Sequence, residues 1–319
     1  MKADDLQKKL RWFDRGAAAF SQVFPNALDL LGPNASPHYV CPECAEPDAA
    51  DQNYRVQLFP RTAVQRGELT AEHVPPKAFK GRELVLTCKP CNSRAGSQLE
   101  SQARKRENPR DVLRGVATKP AYVRLIAESY SFSADLKVED GMLKLRAKDP
   151  KVWPAFKEAR IRRVADHPPI TIQFNNDTYL PSRANVAWLR HAYLVLFAVG
   201  GYSYIFQPGL GVVRKQIKEP DAEHIPVFLA AVPGEPPWSE RRIIRVREPE
   251  RLQSWAVQIG RYLVFLPRPG DMSFYTRLAE DARAVNQGNF NGEVFEWPAE
   301  PSFGLNCVFA INQDSTDGE

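Results

Sequence analysis

The sequence predicts an α+β protein in which a small cysteine-stapled module lies between an N-terminal helix and a larger mixed α+β C-terminal region. Three observations carry this expectation. Residues 4–24 repeat apolar side chains at three- and four-residue steps. Four of the 5 cysteines fall as two Cys-x-x-Cys pairs in the first third of the 319-residue chain. The second half sets one long apolar helical pattern among several short apolar runs.

The first helix, "DDLQKKLRWFDRGAAAFSQVF", brings Leu6, Leu10, Phe13, Ala17, Phe20 and Phe24 onto one face, the pattern of an amphipathic helix packed on a domain. Pro25, Pro33 and Pro37 then predict a loop leading to Cys41. Residues 38–96 have turn and short-strand character, and "SRAGSQLESQARKREN" predicts a helix that ends by Pro109. Further on, "YSFSADLKVEDGMLKLRAK" reads as a hairpin around Asp140-Gly141. "SRANVAWLRHAYLVLFAVGG" reads as a helix capped at Ser182 and stopped at Gly200-Gly201. The runs "IPVFLAAV", "RRIIRVR", "SWAVQIG", "RYLVFLP" and "FGLNCVFAI" read as strands. The expected division is residues 1–36 (helix and linker), 37–115 (cysteine module), 116–311 (α+β region of unassigned role) and 312–319 (a disordered acidic tail).

With 43% hydrophobic and 25% charged residues the composition is that of an ordinary globular protein. No run approaches the roughly 20 apolar residues of a membrane helix, and the N-terminus lacks the apolar core of a signal peptide. A cytoplasmic location without a membrane partner is therefore expected. From Val74 to Arg124 there are 12 Lys and Arg against 4 acids, a surplus larger than the +5 of the whole chain. That local field suits a polyanion, and nucleic acid is the commonest. A charge run by itself also fits a solvated basic helix; its position beside the second cysteine pair favours the first reading.

Cys41-x-x-Cys44 and Cys88-x-x-Cys91 can wrap one tetrahedral zinc ion through four thiolates. A reducing compartment argues against disulfides. The 43 intervening residues exceed what a simple ribbon needs, so something is inserted between the knuckles. Cys307 reads as a buried apolar residue, and His38 as a loop residue, because four thiolates leave no vacancy. His167, His191 and His224 lack ligand companions and read as structural.

The insert contains Glu72, His73, Val74, Pro75 and Pro76. Adjacent side chains on a regular strand point to opposite faces, so Glu72 and His73 converge only where the strand bends or ends. The two prolines restrict the backbone and stop ladder pairing, as such a bend requires. Asn92 directly follows the second cysteine pair, at the expected helix start, where a short polar side chain can cap or reach a metal. A lone loop histidine is more often structural. The neighbouring glutamate and prolines, the asparagine and the knuckle order together argue for chemistry.

"EHVP", then a basic loop, then "LVLTCKPCN" and a helix, resembles the HNH endonucleases, most closely their zinc-stapled members. The closing Cys-x-x-Cys-Asn is also similar to that of phage junction-resolving endonucleases. The resemblance covers about Tyr39 to Glu100. It implies a ββα-metal fold and metal-dependent hydrolysis of phosphodiester bonds, with DNA the expected substrate. It places a metal ligand at Glu72, the catalytic histidine at His73 and a second ligand at Asn92, with Mg2+ or Mn2+ as the catalytic ion and Zn2+ as the structural one. Lys89 and Arg94 are then candidate phosphate clamps, and Lys77, Lys80 and Arg82 line the loop. The family's middle asparagine, which orients the histidine, falls on Glu83, a departure. Multidomain members often serve in anti-phage defence, and a homodimer or an activating ligand or partner at the C-terminal region is compatible with the resemblance. The alternative, favoured by Glu83, is a non-catalytic zinc-ribbon protein that binds nucleic acid.

Overall fold

A computed structural model describes residues 3–25, 36–44, 46–47, 54–117, 119–127, 130–152, 154, 171–174, 178–281 and 290–304. The chain is a mixed α+β protein with several antiparallel sheets. In order it forms α1 (Ala3–Val23), β1 (His38–Val40), β2 (Glu46–Pro47), β3 (Tyr54–Arg55), β4 (Leu58–Pro60), α2 (Thr62–Gln65), β5 (Leu69–Val74), β6 (Arg82–Cys88) and α3 (Lys89–Ala95). Then follow α4 (Ser101–Leu113), β7 (Ala121–Ala127), β8 (Tyr130–Glu139), β9 (Met142–Ala147) and β10 (Thr171–Phe174). The rest is α5 (Pro181–Ile205), α6 (Leu210–Lys218), β11 (Leu229–Ala231), β12 (Arg241–Glu248), β13 (Ser254–Ile259), β14 (Tyr262–Pro267), α7 (Phe274–Glu280) and β15 (Asn291–Glu296). No helix among the described residues is long and apolar enough to cross a membrane.

Two compact units emerge: Met1–Leu99 with Asn185–Glu319, and Glu100–Ala184. This differs from the linear division expected from composition. The reason is α5, whose buried side chains bind the cysteine module directly. Tyr193 and Tyr202 donate their hydroxyls to the carbonyls of Pro42 (2.7 Å) and Val40 (2.6 Å). Tyr39 in turn donates to Leu86 of β6 at 2.8 Å. Each of these buried hydroxyls has its partner, as burial demands.

In the first unit, α1 buries Leu10, Phe13, Ala17 and Phe20, the face foreseen by its spacing, and packs Phe13 against Tyr39. The hairpin β5–β6 runs directly into α3. Its connecting turn is anchored by Phe79, whose ring lies 5.0 Å from Trp188 and 4.7 Å from Trp238. Gly81 closes that turn where the Pro75 carbonyl passes so near that a Cβ would collide with it at 1.3 Å. The five-stranded sheet has the order β11-β14-β13-β12-β15.

In the second unit, β10-β7-β8-β9 form a four-stranded sheet. Val112 of α4 joins Val123, Leu125, Ala134 and Leu136 in its core. The β8–β9 hairpin turns at Asp140-Gly141, both with positive φ, as the sequence predicts.

Several expectations are corrected. The helix after the second cysteine pair starts at Lys89, so Asn92 sits inside its first turn. After a π-helical turn over Gly96–Glu100, α4 continues past Pro109 to Leu113, because Val112 has a core to enter. Ser182 is no cap: α5 begins at Pro181, whose fixed φ and missing N–H suit a first helical position. The expected stop at Gly200-Gly201 holds, since Gly201 is non-helical (φ 61°), but a second helical segment follows at once, in which Tyr202 and Ile205 are fully buried. Strands β7 and β15 were not foreseen. Most of "FGLNCVFAI" with Cys307, His167 and the tail 312–319 lie outside the described residues.

Candidate functional site

Cys41 follows β1, Cys44 closes a tight turn on it, Cys88 ends β6 and Cys91 lies in the first turn of α3. The four sulfurs all lie within 4.8 Å of one another, with Cys44–Cys88 at 3.4 Å and Cys44–Cys91 at 3.6 Å. A zinc ion with Zn–S bonds of about 2.3 Å spaces its sulfurs about 3.8 Å apart, so the cluster is compatible with one zinc ion. The Cys88 N–H also donates to Cys41 Sγ at 3.3 Å. Burial and the neighbouring thiols push the Cys41 thiol well up, whereas hydrogen bonding from Cys41 and its neighbours pulls Cys88 down. Four thiols crowded in this way share protons that a dication would displace.

The cluster pins the end of β6 and the start of α3 to the β1 knuckle. It thereby fixes the hairpin that carries His73. In that hairpin the register shifts between Glu72 and His73: Glu72 faces Val85, but His73 faces Glu83. Leu84 is the extra residue, on β6, and this bulge puts a carboxylate rather than a leucine opposite the imidazole. Lys8 of α1 donates to Glu83 Oε2 at 2.9 Å and also lies 4.6 Å over the Trp12 ring. Partial burial, then the Lys77 charge, hold the His73 imidazole below its ordinary pKa, while Glu83 and Glu72 act in the opposite sense.

Glu72, by contrast, is buried. Its Oε2 accepts from Arg190 Nη2 at 2.9 Å and from Thr87 Oγ1 at 3.3 Å. Arg190, fully buried on α5, also donates from Nε and Nη2 to Glu43 Oε1 at 3.0 and 2.8 Å. Glu43 lies within the first knuckle, so one guanidinium ties the metal-binding turn to the strand before His73. Burial opposes the Arg190 charge, but the two carboxylates hold it firmly protonated. Burial pushes the Glu43 carboxyl above its ordinary value despite Arg190 beside it.

Asn92 Nδ2 donates to Thr70 Oγ1 at 2.9 Å. Thr70 and Glu72 are two apart on β5, and Thr70 faces Thr87 across the ladder. Glu72, Thr87, Thr70 and Asn92 are thus linked on one face of the hairpin. Each of the two expected ligands has one polar atom anchored. Glu72 Oε1 and Asn92 Oδ1 accept no hydrogen bond among the described residues. Oxygens held this way are hard donors, the type that suits Mg2+ or Mn2+.

No known protein family, characterised protein or solved structure matches the chain. The site therefore rests on its own geometry.

Lys77, Lys80, Arg82 and Lys89 are exposed, on or beside the hairpin turn and at the start of α3. Arg94 is half-buried, with Nη2 buried and without a hydrogen-bond partner among the described residues. His224 meets Glu219 at 2.7 Å and His191 is fully buried, so neither joins the cluster of cysteines. Sequence reasoning missed Arg190, Glu43, Thr70, Thr87 and Lys8. A signal existed for Arg190: a guanidinium inside "NVAWLRHAYLVLF" must be buried with a counter-charge.

Proposed function

We propose that the chain is a metal-dependent endonuclease of the HNH type, acting on the phosphodiester bonds of nucleic acid, with DNA as the expected substrate. The observation that carries this reading is the pair of leftover oxygens, Glu72 Oε1 and Asn92 Oδ1, held by Arg190, Thr87 and Thr70 in the hairpin and helix that also present His73. Glu72 Oε1 and Asn92 Oδ1 would hold a Mg2+ or Mn2+ ion, which would supply stabilisation of the charge that grows during phosphodiester hydrolysis. His73, kept neutral by its surroundings, takes the proton of the attacking water. Glu83 stands where it can orient the imidazole, the task a neutral asparagine performs in the resembling family. Lys8 balances its charge. Exposed Lys77, Lys80 and Lys89 hold the substrate backbone. A role in anti-phage defence fits such an enzyme and belongs to the same proposal.

Purified protein incubated with plasmid or single-stranded DNA and Mg2+ or Mn2+ should cleave it. His73→Ala should lower the rate by about 10²–10⁴-fold, the usual contribution of a general base, with zinc content and fold unchanged. Equal cleavage by wild type and variant would rule out this mechanism.

The pH profile provides a second check. Because the His73 pKa is lowered, its base form persists to more acid pH than a free imidazole, about 6.5. The kcat/KM plateau should therefore extend below that pH and fall as pH drops through the folded value. Glu83→Gln removes a raising charge and should move the acid limb further down. Lys77→Met removes a lowering one and should move it up. A limb unmoved in both variants would show that His73 is not the titrating base.

A further inference from the structure

Away from the cysteines, Arg82, Arg241 and Arg242 converge on an open cavity of about 550 Å³. It lies between the first residue of β6 and the edge of the five-stranded sheet formed by β12 and β15. Arg82 Nη2 donates to the carbonyls of Pro298 (2.6 Å) and Trp297 (3.4 Å). Arg241 donates to the carbonyls of Trp238 (3.2 Å), Phe79 (3.4 Å) and Lys80, and stands 5.5 Å from the Trp297 ring. All these acceptors are backbone oxygens. The two guanidiniums are thus held in position while neither is neutralised by a carboxylate among the described residues. Arg242 differs: Glu240 lies 3.4 Å from it, and Glu296 faces it across the ladder.

Burial, and then repulsion from Arg82, pull Arg241 below its ordinary pKa. Two fixed cations that repel one another in a half-enclosed space are a receptor for an anion, and guanidiniums match the fork of phosphate oxygens. The remaining walls narrow the choice. Glu240 and Glu296 would repel a bare polyanion but accept hydrogen bonds from hydroxyl or amino groups. Val294, exposed at the mouth, offers an apolar contact. The volume falls in the range of about 300–1,000 Å³ typical of small-molecule sites.

We propose that this cavity binds one nucleotide, its phosphate on Arg82 and Arg241, with Ser239 adding a hydroxyl donor and the carboxylates receiving ribose or base donors. The nucleotide is either free or one unit of a nucleic-acid strand. The proposal does not rest on cleavage at His73, and binding should survive in His73→Ala.

The test is calorimetry on the full, zinc-loaded chain carrying His73→Ala, with AMP, GMP, inorganic phosphate and a short single-stranded oligonucleotide. Mononucleotide or oligonucleotide should bind more tightly than phosphate. Arg82→Gln should weaken it at least about tenfold, the equivalent of about 1.4 kcal/mol, and Arg241→Gln should do the same. Because Arg241 also clasps the hairpin turn, Arg82→Lys serves as the second variant: it keeps the charge, loses the fork and should bind with intermediate affinity. Arg247→Gln, on the surface with Glu293, should bind as the parent does. Mononucleotide binding that the oligonucleotide does not displace assigns a free nucleotide; oligonucleotide binding with the same arginine dependence assigns a strand. No binding at millimolar concentration, binding unchanged in both Arg82 variants, or phosphate binding as tightly as AMP would overturn the proposal.

Discussion

Arg190→Met is expected to destabilise the protein by about 3–5 kcal/mol, the usual cost of leaving buried charges without their partner. The guanidinium is fully buried and forms ion pairs with both Glu43 and Glu72, which are themselves almost wholly enclosed. With it gone, the Glu43 carboxyl, already pushed up by burial, loses the cation that opposes that push, so it should stay protonated further above the ordinary carboxylate range. The folded form then binds more protons than the unfolded form. Stability of the variant should fall as pH rises above about 4.3, where unfolded glutamate ionises, and recover in acid. Adding Glu43→Gln and Glu72→Gln to Arg190→Met should restore much of the loss, because the buried charges are removed together. Chemical denaturation across a pH series reads both effects. A variant as stable as wild type with a flat pH dependence would show that the triad does not hold the knuckle to the strand.

Cys88→Ser is the second large effect. Zinc should fall from about one ion per chain to almost none, since one missing sulfur opens the tetrahedron and the other thiolates lose their shared cation. Structural zinc commonly supplies about 10–16 kcal/mol in small modules, so the segment around the hairpin should lose its fold. Metal analysis and far-ultraviolet circular dichroism follow the two losses. Asn92→Ala is the matched control: its amide touches Thr70 and no sulfur, so zinc and fold should persist while metal-dependent cleavage drops. Equal zinc loss in both variants would mean the two metal sites are not separate.

Much of this arrangement was legible in the sequence because it depends on local spacing. Two Cys-x-x-Cys knuckles announce a four-sulfur cluster wherever the chain between them goes, and the amphipathic α1 and the Asp-Gly hairpin turn are patterns of period and φ preference. The bend between Glu72 and His73 was expected from two prolines. The bulge that creates it, however, lies on the partner strand at Leu84, and register is a property of pairing that one strand's sequence does not encode. The same holds for Arg190. Its partners sit 147 and 118 residues away, and a lone guanidinium in an apolar helix says that counter-charges exist without saying which. The composition of the compact units was hidden for the same reason, since α5 returns to the cysteine module after a separate unit has intervened. The helix end expected at Pro109 was overridden by the core that Val112 enters beyond it, which outweighed the local stop signal.

The most direct measurement is the position of bound metal. Crystals soaked in manganese, with anomalous scattering collected to separate manganese from zinc, should show zinc among the sulfurs of Cys41, Cys44, Cys88 and Cys91. Manganese should appear on Glu72 Oε1 and Asn92 Oδ1, beside the imidazole of His73. Manganese bound elsewhere, or not at all, with Glu72 engaged by Arg190 alone, would contradict the account.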